Sequence, residues 1–345
     1  MKRIELIKLT VLLVALCSLS SIYSQKISPE MLGFTQCKFK NEDLGEVNYY
    51  LSKSDSSKSK PLLIYLDGSG PYPLFQKLER GIGSTVVIDF QKLIKEYRLL
   101  LISKPGVPFI DEVSKNENSF PVYDPPQEYV NKLSLDWRVN SAHNIINHIL
   151  ENKMVKTNTV IAMGFSEGAQ VVPKLAAINS NIDIIMLFSG NGLTQFYDPL
   201  LSARLNAAKG KLTQSEAQNQ VDSLFVKYKE ILSDPNNTEK NWYGHTFKRW
   251  ASFATNEPLK YLIELNIPIY IANGSLDENP ISSADFIKLE FIRNNKTNLT
   301  YKTYPNYNHQ FNEIVMENGN IKNVQPKINS VMTEAFGWLQ NQISN

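Results

Sequence analysis

Five short runs of this chain carry almost nothing polar: PLLIYL (61–66), RLLLIS (98–103), TVIAM (159–163), DIIMLF (183–188) and IPIYIA (267–272). Each is bounded by turn residues and is short enough to be a strand buried on both faces, as in a parallel sheet. Between the runs, apolar positions recur at helical spacing. Residues 84–97 (STVVIDFQKLIKEY) predict a helix capped by Ser84, with Val87, Phe90, Leu93, Ile94 and Tyr97 along one stripe. Residues 133–150 predict another, burying Trp137, Ala142, Ile145, Ile146 and Ile149. Residues 36–51 read as an opening antiparallel pair, 298–304 as a last strand and 331–339 as a closing helix. Strands that alternate with helices imply right-handed crossovers and a sheet covered on both faces.

One section breaks this alternation. From 193 to 257 there is no buried strand, only polar amphipathic patches such as SEAQNQVDSLFVKYKEIL and TFKRWASF. A structureless loop of that length is at odds with a compact domain, so the section is expected to be a helical lid insertion.

The amino terminus follows a different pattern. Lys2, Arg3 and Lys8 precede an apolar stretch over 9–19, too short to span a bilayer, and Ser24 is a small residue suited to a cleavage site. Residues 1–24 therefore read as a signal peptide and 25–345 as one domain of an exported protein, periplasmic or secreted, with no membrane span in the mature chain. Only Cys37 remains after removal of the leader, which excludes an intramolecular disulfide. A net charge of +2, without a basic block or a recognition motif, argues against nucleic acid as a partner.

The chemistry centres on GFSEG at 164–168. Alone, such a match recurs by chance in roughly one chain in ten of this size. Here it directly follows a buried strand and precedes a helix-compatible stretch, the setting in which Ser166 becomes a nucleophile on a sharp turn. Gly164 and Gly168 let strand and helix approach closely around it. A serine needs a base, and four histidines are present. His143 and His148 stand five apart on a helix and face different ways, which disfavours a shared metal site. His245 lies in the insertion, where it either contacts substrate or packs. His309, in PNYNHQF between the last strand and the closing helix, has the position a base needs in a Ser, acid, His order. Asp277, after the strand at 267–272, has the position of the acid, with Glu278 as the nearest substitute; a plain turn aspartate is the competing reading. Oxyanion donors are expected from the N–H of Glu167 and from Ser69 or Gly70 in LDGSGPYP. Tyr72, Trp242, Tyr243 and Trp250 are candidates for a substrate pocket, although the three insertion aromatics would equally form a small core of their own.

GFSEG, LDGSG, NGSLDENP and NHQF, in that order, resemble the α/β-hydrolase superfamily, over about residues 36–192 and 258–343. The resemblance implies an α/β-hydrolase fold with a mostly parallel eight-stranded sheet, and places the nucleophile at Ser166, the acid at Asp277 and the base at His309. It implies acyl transfer to water without cofactor or metal, on a small-molecule or short-peptide substrate. A carboxylesterase is the first expectation. A peptidase related to prolyl oligopeptidase is the second, and a non-catalytic ligand-binding protein of the same fold is the third. Where many relatives have His-Gly before the oxyanion loop, this chain has Asp67-Gly68, for which a structural hydrogen bond is expected.

Overall fold

The apolar runs do form strands. A computed structural model describes residues 27–53, 59–78, 81–117, 121–277 and 280–344; the leader and Glu278 lie outside the described residues. Eight strands make the central sheet: β1 (Phe34–Asn41), β2 (Gly45–Ser52), β3 (Leu62–Leu66), β4 (Arg98–Ile102), β5 (Val160–Phe165), β6 (Ile184–Phe188), β7 (Ile269–Gly274) and β8 (Leu299–Tyr304). Their spatial order is β1-β2-β4-β3-β5-β6-β7-β8. The first two pairings are antiparallel and the other five parallel.

Every residue of β3, β5, β6 and β7 is buried, because alternate side chains feed two separate cores. Leu62, Ile64, Ala162, Ile185 and Ile271 join one core, beneath α1 (Leu135–Glu151) and α2 (Glu167–Ile178). Leu63, Tyr65, Met163, Met186 and Tyr270 join the other, under the closing helix Ile328–Ser344. All five apolar residues expected on α1 are buried there, and Ser134 caps it by accepting the N–H of Trp137 at 3.0 Å.

Two elements differ from expectation. No continuous helix spans 84–97. Ser84 ends the strand Gly81–Ser84, which pairs with Phe75–Leu78, and only Phe90–Leu93 is helical, capped by Asp89. The β-branched run Thr85-Val86-Val87 lies between them, and the Tyr65 hydroxyl accepts the Val87 N–H at 3.3 Å instead of a helical carbonyl. The apolar stripe still faces the core, since Leu93 and Tyr97 are buried. The second difference is a hairpin, Asn312–Glu317 with Asn320–Pro326, that the sequence reading lacked. Its turn is Asn318-Gly319, both at positive φ (51° and 79°), the dipeptide that favours tight hairpins.

The section from 193 to 257 carries three helices, α3 (Tyr197–Ala208), α4 (Gln214–Ser233) and α5 (Phe247–Ala254), with a two-strand ladder, Asn241–Trp242 with His245–Thr246. It has its own small core. Phe196 stacks on Tyr228 at 3.9 Å, and Ile231, Phe247, Trp242 and Trp250 close around them. Ser252 of α5 accepts the Leu135 N–H at the start of α1, tying the insertion to the sheet layer. Among the described residues, no helix is long and apolar enough to cross a membrane.

Candidate active site

The three proposed catalytic side chains arrive from loops at the carboxyl ends of β5, β7 and β8. Ser166 stands between β5 and α2 at φ 55°, ψ −117°, a conformation costing on the order of 1–3 kcal/mol for a residue with a side chain. The surroundings enforce it. The Ser166 N–H donates to the Phe188 carbonyl of β6 at 2.9 Å. A Cβ on Gly164 would lie 2.3 Å from the Gly168 carbonyl oxygen, and one on Gly168 only 2.0 Å from that of Leu66. Both glycines are therefore required by contact, as the sequence motif implied.

The acid and base loops are stitched together. Leu276 N–H donates to the Tyr307 carbonyl at 2.8 Å, Ser275 N–H to that of Tyr304 at 3.0 Å, and Asn306 N–H to the Ser275 hydroxyl at 2.8 Å. A Cβ on Gly274 would be 2.3 Å from the Tyr307 oxygen, so only glycine permits this approach. Ser189, after β6, donates its hydroxyl to the His309 carbonyl at 2.7 Å. The imidazole also meets the Phe165 ring edge-on at 5.8 Å. Held in this way, His309 Nε2 lies 3.0 Å from Ser166 Oγ, and its Nδ1 lies 2.7 Å from Asp277 Oδ2. Asp277 is buried, whereas the His309 side chain remains 32% exposed toward a cavity of about 570 Å³.

Ser69 and Glu167 line that cavity beside Ser166; Gly70 does not. Gly70 is buried at φ 90° beneath the Tyr72 ring, which leaves Ser69 as the better placed of the two proposed second donors. Tyr243 and Trp250 line the cavity as proposed, but Tyr72 and Trp242 do not. The Tyr72 hydroxyl is turned away, donating to the Pro121 carbonyl at 2.9 Å. The Trp242 ring packs into the insertion's own core against Phe196, Tyr228 and Trp250. His245 lines the cavity and sits edge-on against Trp250, so the packing role is seen. Burial, then the nearby Arg249 cation, lower its pKa to about 4, so it is neutral at pH 7.

Beneath the serine lies a chain of buried charges that the sequence reading did not assemble. Lys104 Nζ contacts Asp67 Oδ2 at 2.7 Å, and Arg138 contacts Asp67 Oδ1 and Glu167 Oε1, each at 2.8 Å. Arg249 of the insertion closes on the other Glu167 oxygen. Lys104 also donates to the carbonyls of Gly68 and Gly70, and Arg138 to that of Asp67. Asp67 and the loop that follows it are thus anchored by two cations rather than by a single hydrogen bond. Burial pushes the Glu167 carboxyl up, but Arg249 and Arg138 more than reverse this and hold it well below the usual range. Three basic side chains and two carboxylates thus meet beneath the turn that carries Ser166, and burial pushes the Lys104 ammonium below its ordinary range. The available sequence signals were Arg138 within an otherwise apolar helix face, and an acidic residue immediately after Ser166.

No protein-family model matches the chain, and no curated protein matches it. Solved structures do. Est1E from Butyrivibrio proteoclasticus, with ferulic acid bound, is 14% identical at a TM-score of 0.52, over 87% of this chain and 96% of its own. Esterase Pf2001 from Pyrococcus furiosus is 12% identical at 0.51, over 93% and 94%. An acylaminoacyl peptidase from Pyrococcus horikoshii is 12% identical at 0.52, over 88% of this chain and 41% of that longer one. The fold is therefore the α/β-hydrolase fold, with the eight-stranded, mostly parallel sheet expected from the motifs.

Proposed function

We propose that this chain is a serine hydrolase that cleaves a carboxylic ester through an acyl-enzyme. The observation that carries this reading is the continuous contact Ser166–His309–Asp277 around a serine held at positive φ. Ser166 Oγ attacks the carbonyl carbon as its proton passes to His309 Nε2. Asp277 accepts the Nδ1–H, fixing the tautomer and stabilising the imidazolium. The N–H groups of Glu167 and Ser69 receive the oxyanion, above the arginines that hold the Glu167 side chain. Nε2 then protonates the leaving oxygen, and water repeats the sequence to release the acid and free Ser166.

An ester is the first choice because two neighbours in fold are esterases. The polar cavity wall favours a second reading, an aminoacyl or peptide amide, in keeping with the acylaminoacyl peptidase. A fluorophosphonate probe and a panel of esters and aminoacyl amides test the reading. Wild type should be labelled and show burst release of nitrophenol from a short-chain ester, and Ser166→Ala should lose both. Equal labelling of the two proteins would remove Ser166 from the role; ligand retention without a burst would mark a binding protein instead.

A further inference from the structure

Among the described residues three carboxylates line the cavity, and they are balanced differently. Glu167 meets two arginines, and Asp277 meets His309. Asp198, on the first turn of α3, has only an amide among the described residues: Oδ2 accepts from Asn191 Nδ2 at 2.8 Å, while Oδ1 is buried without a hydrogen-bond partner. From it we infer that the Asp198 wall is a recognition subsite for a positively charged amine, so that the substrate is an aminoacyl ester or amide with a free amino group near the scissile carbonyl. This inference rests on the serine-hydrolase reading and names the substrate class for that site.

The hydrogen bonding supports it. Arg249 Nη1 donates to Gln195 Oε1 at 2.5 Å, Gln195 Nε2 to Gln170 Oε1 at 2.5 Å, Gln170 Nε2 to Asn191 Oδ1 at 2.7 Å, and Asn191 to Asp198. Every link runs in one direction. A guanidinium can only donate and an ionised carboxylate can only accept, so the two ends set the orientation of all three amides. Asp198 is thereby held as an acceptor at the cavity wall, and its place at a helix amino terminus favours its negative charge. No cation among the described residues offsets that charge: burial, chiefly, and then Asp277 push the carboxyl up to about 7, against the pull of Asn191. The Tyr228 hydroxyl, also buried without a partner, lies within electrostatic range. Once Asp198 is ionised the cavity is therefore bipolar, with Arg249 and Arg138 near Ser166 and the Asp198 carboxylate on the wall. An aminoacyl group has the complementary polarity, with its carbonyl oxygen toward the floor and its ammonium toward the wall.

The test compares L-alanine benzyl ester with N-acetyl-L-alanine benzyl ester, on wild type and on Asp198→Asn. Wild type should favour the free amine in kcat/KM. Asp198→Asn should lower the ratio of the two values by about 10- to 100-fold, the size of a hydrogen bond to a charged group. A wild-type preference for the acetylated ester, or a ratio unchanged in the variant, would overturn the inference. Calorimetry with L-alaninamide reads the subsite without turnover, and binding to wild type that is lost in Asp198→Asn is expected. No heat with wild type overturns the subsite even if esters are cleaved. Heat without turnover or probe labelling keeps the subsite and sinks the hydrolase reading instead.

Discussion

The cavity floor and the cavity wall make opposite use of a buried carboxylate. On the floor, Glu167 belongs to α2 and is drawn well below its ordinary range by arginines from α1 and α5. On the wall, Asp198 belongs to the insertion, meets only an amide and is pushed up to about 7. Burial acts in the same sense on both; the neighbouring charge decides the outcome. On the floor the carboxylate is met by arginines of the protein itself, whereas on the wall no cation among the described residues meets it. Asp277 falls between the two, since it meets the ring nitrogen of His309 rather than an arginine or an amide.

The sharpest break in this comparison is at Asp277. Asp277→Asn keeps the shape but offers an amide to Nδ1, and kcat should fall about 10⁴-fold. Stopped-flow hydrolysis of an activated ester measures it; a fall below about tenfold would place the histidine's orientation in other hands. Next comes the floor. Glu167→Gln leaves Arg138 and Arg249 without their shared anion in a dry site and should destabilise the protein by about 3–5 kcal/mol, read by urea unfolding at pH 7. The sign is consistent, because a depressed carboxyl stabilises the fold above its ordinary value of 4.5, and pH 7 lies in that window. A loss under about 1 kcal/mol would mean that the floor is not electrostatically closed.

The smallest effect belongs to the wall. The folded state holds a proton on Asp198 more tightly than the unfolded chain does, so wild type loses stability as pH rises from 3.8 toward about 7. Asp198→Asn removes that loss. Its Tm relative to wild type should therefore rise between pH 5 and pH 8 by about 5 °C, the equivalent of roughly 2–3 kcal/mol in a domain of this size. A difference independent of pH would show that the wall carboxylate is not held as described.

The sheet was legible because its strands are continuous apolar runs, and burial on both faces leaves no other use for them. The elbow was legible because two glycines and a serine are demanded by contact distances inside five residues. The short strands around 75–84 were missed because a single stripe of apolar residues satisfies either a helix or a strand-and-turn path over the same core. The hairpin after His309 was missed although Asn318-Gly319 marks it, since its exposed strands show no clean alternation.

What the sequence determined by itself was local: where strands run, where the chain must turn tightly, and which serine, acid and histidine occupy the loops that follow. Only the tertiary structure decided the electrostatics. Lys104, Asp67, Arg138, Glu167 and Arg249 come from five separate segments, and nothing in their spacing along the chain pairs them. The physical reason is that a buried charge acquires its energy from whichever groups the fold brings within a few ångströms, and that neighbourhood exists only once the chain is packed.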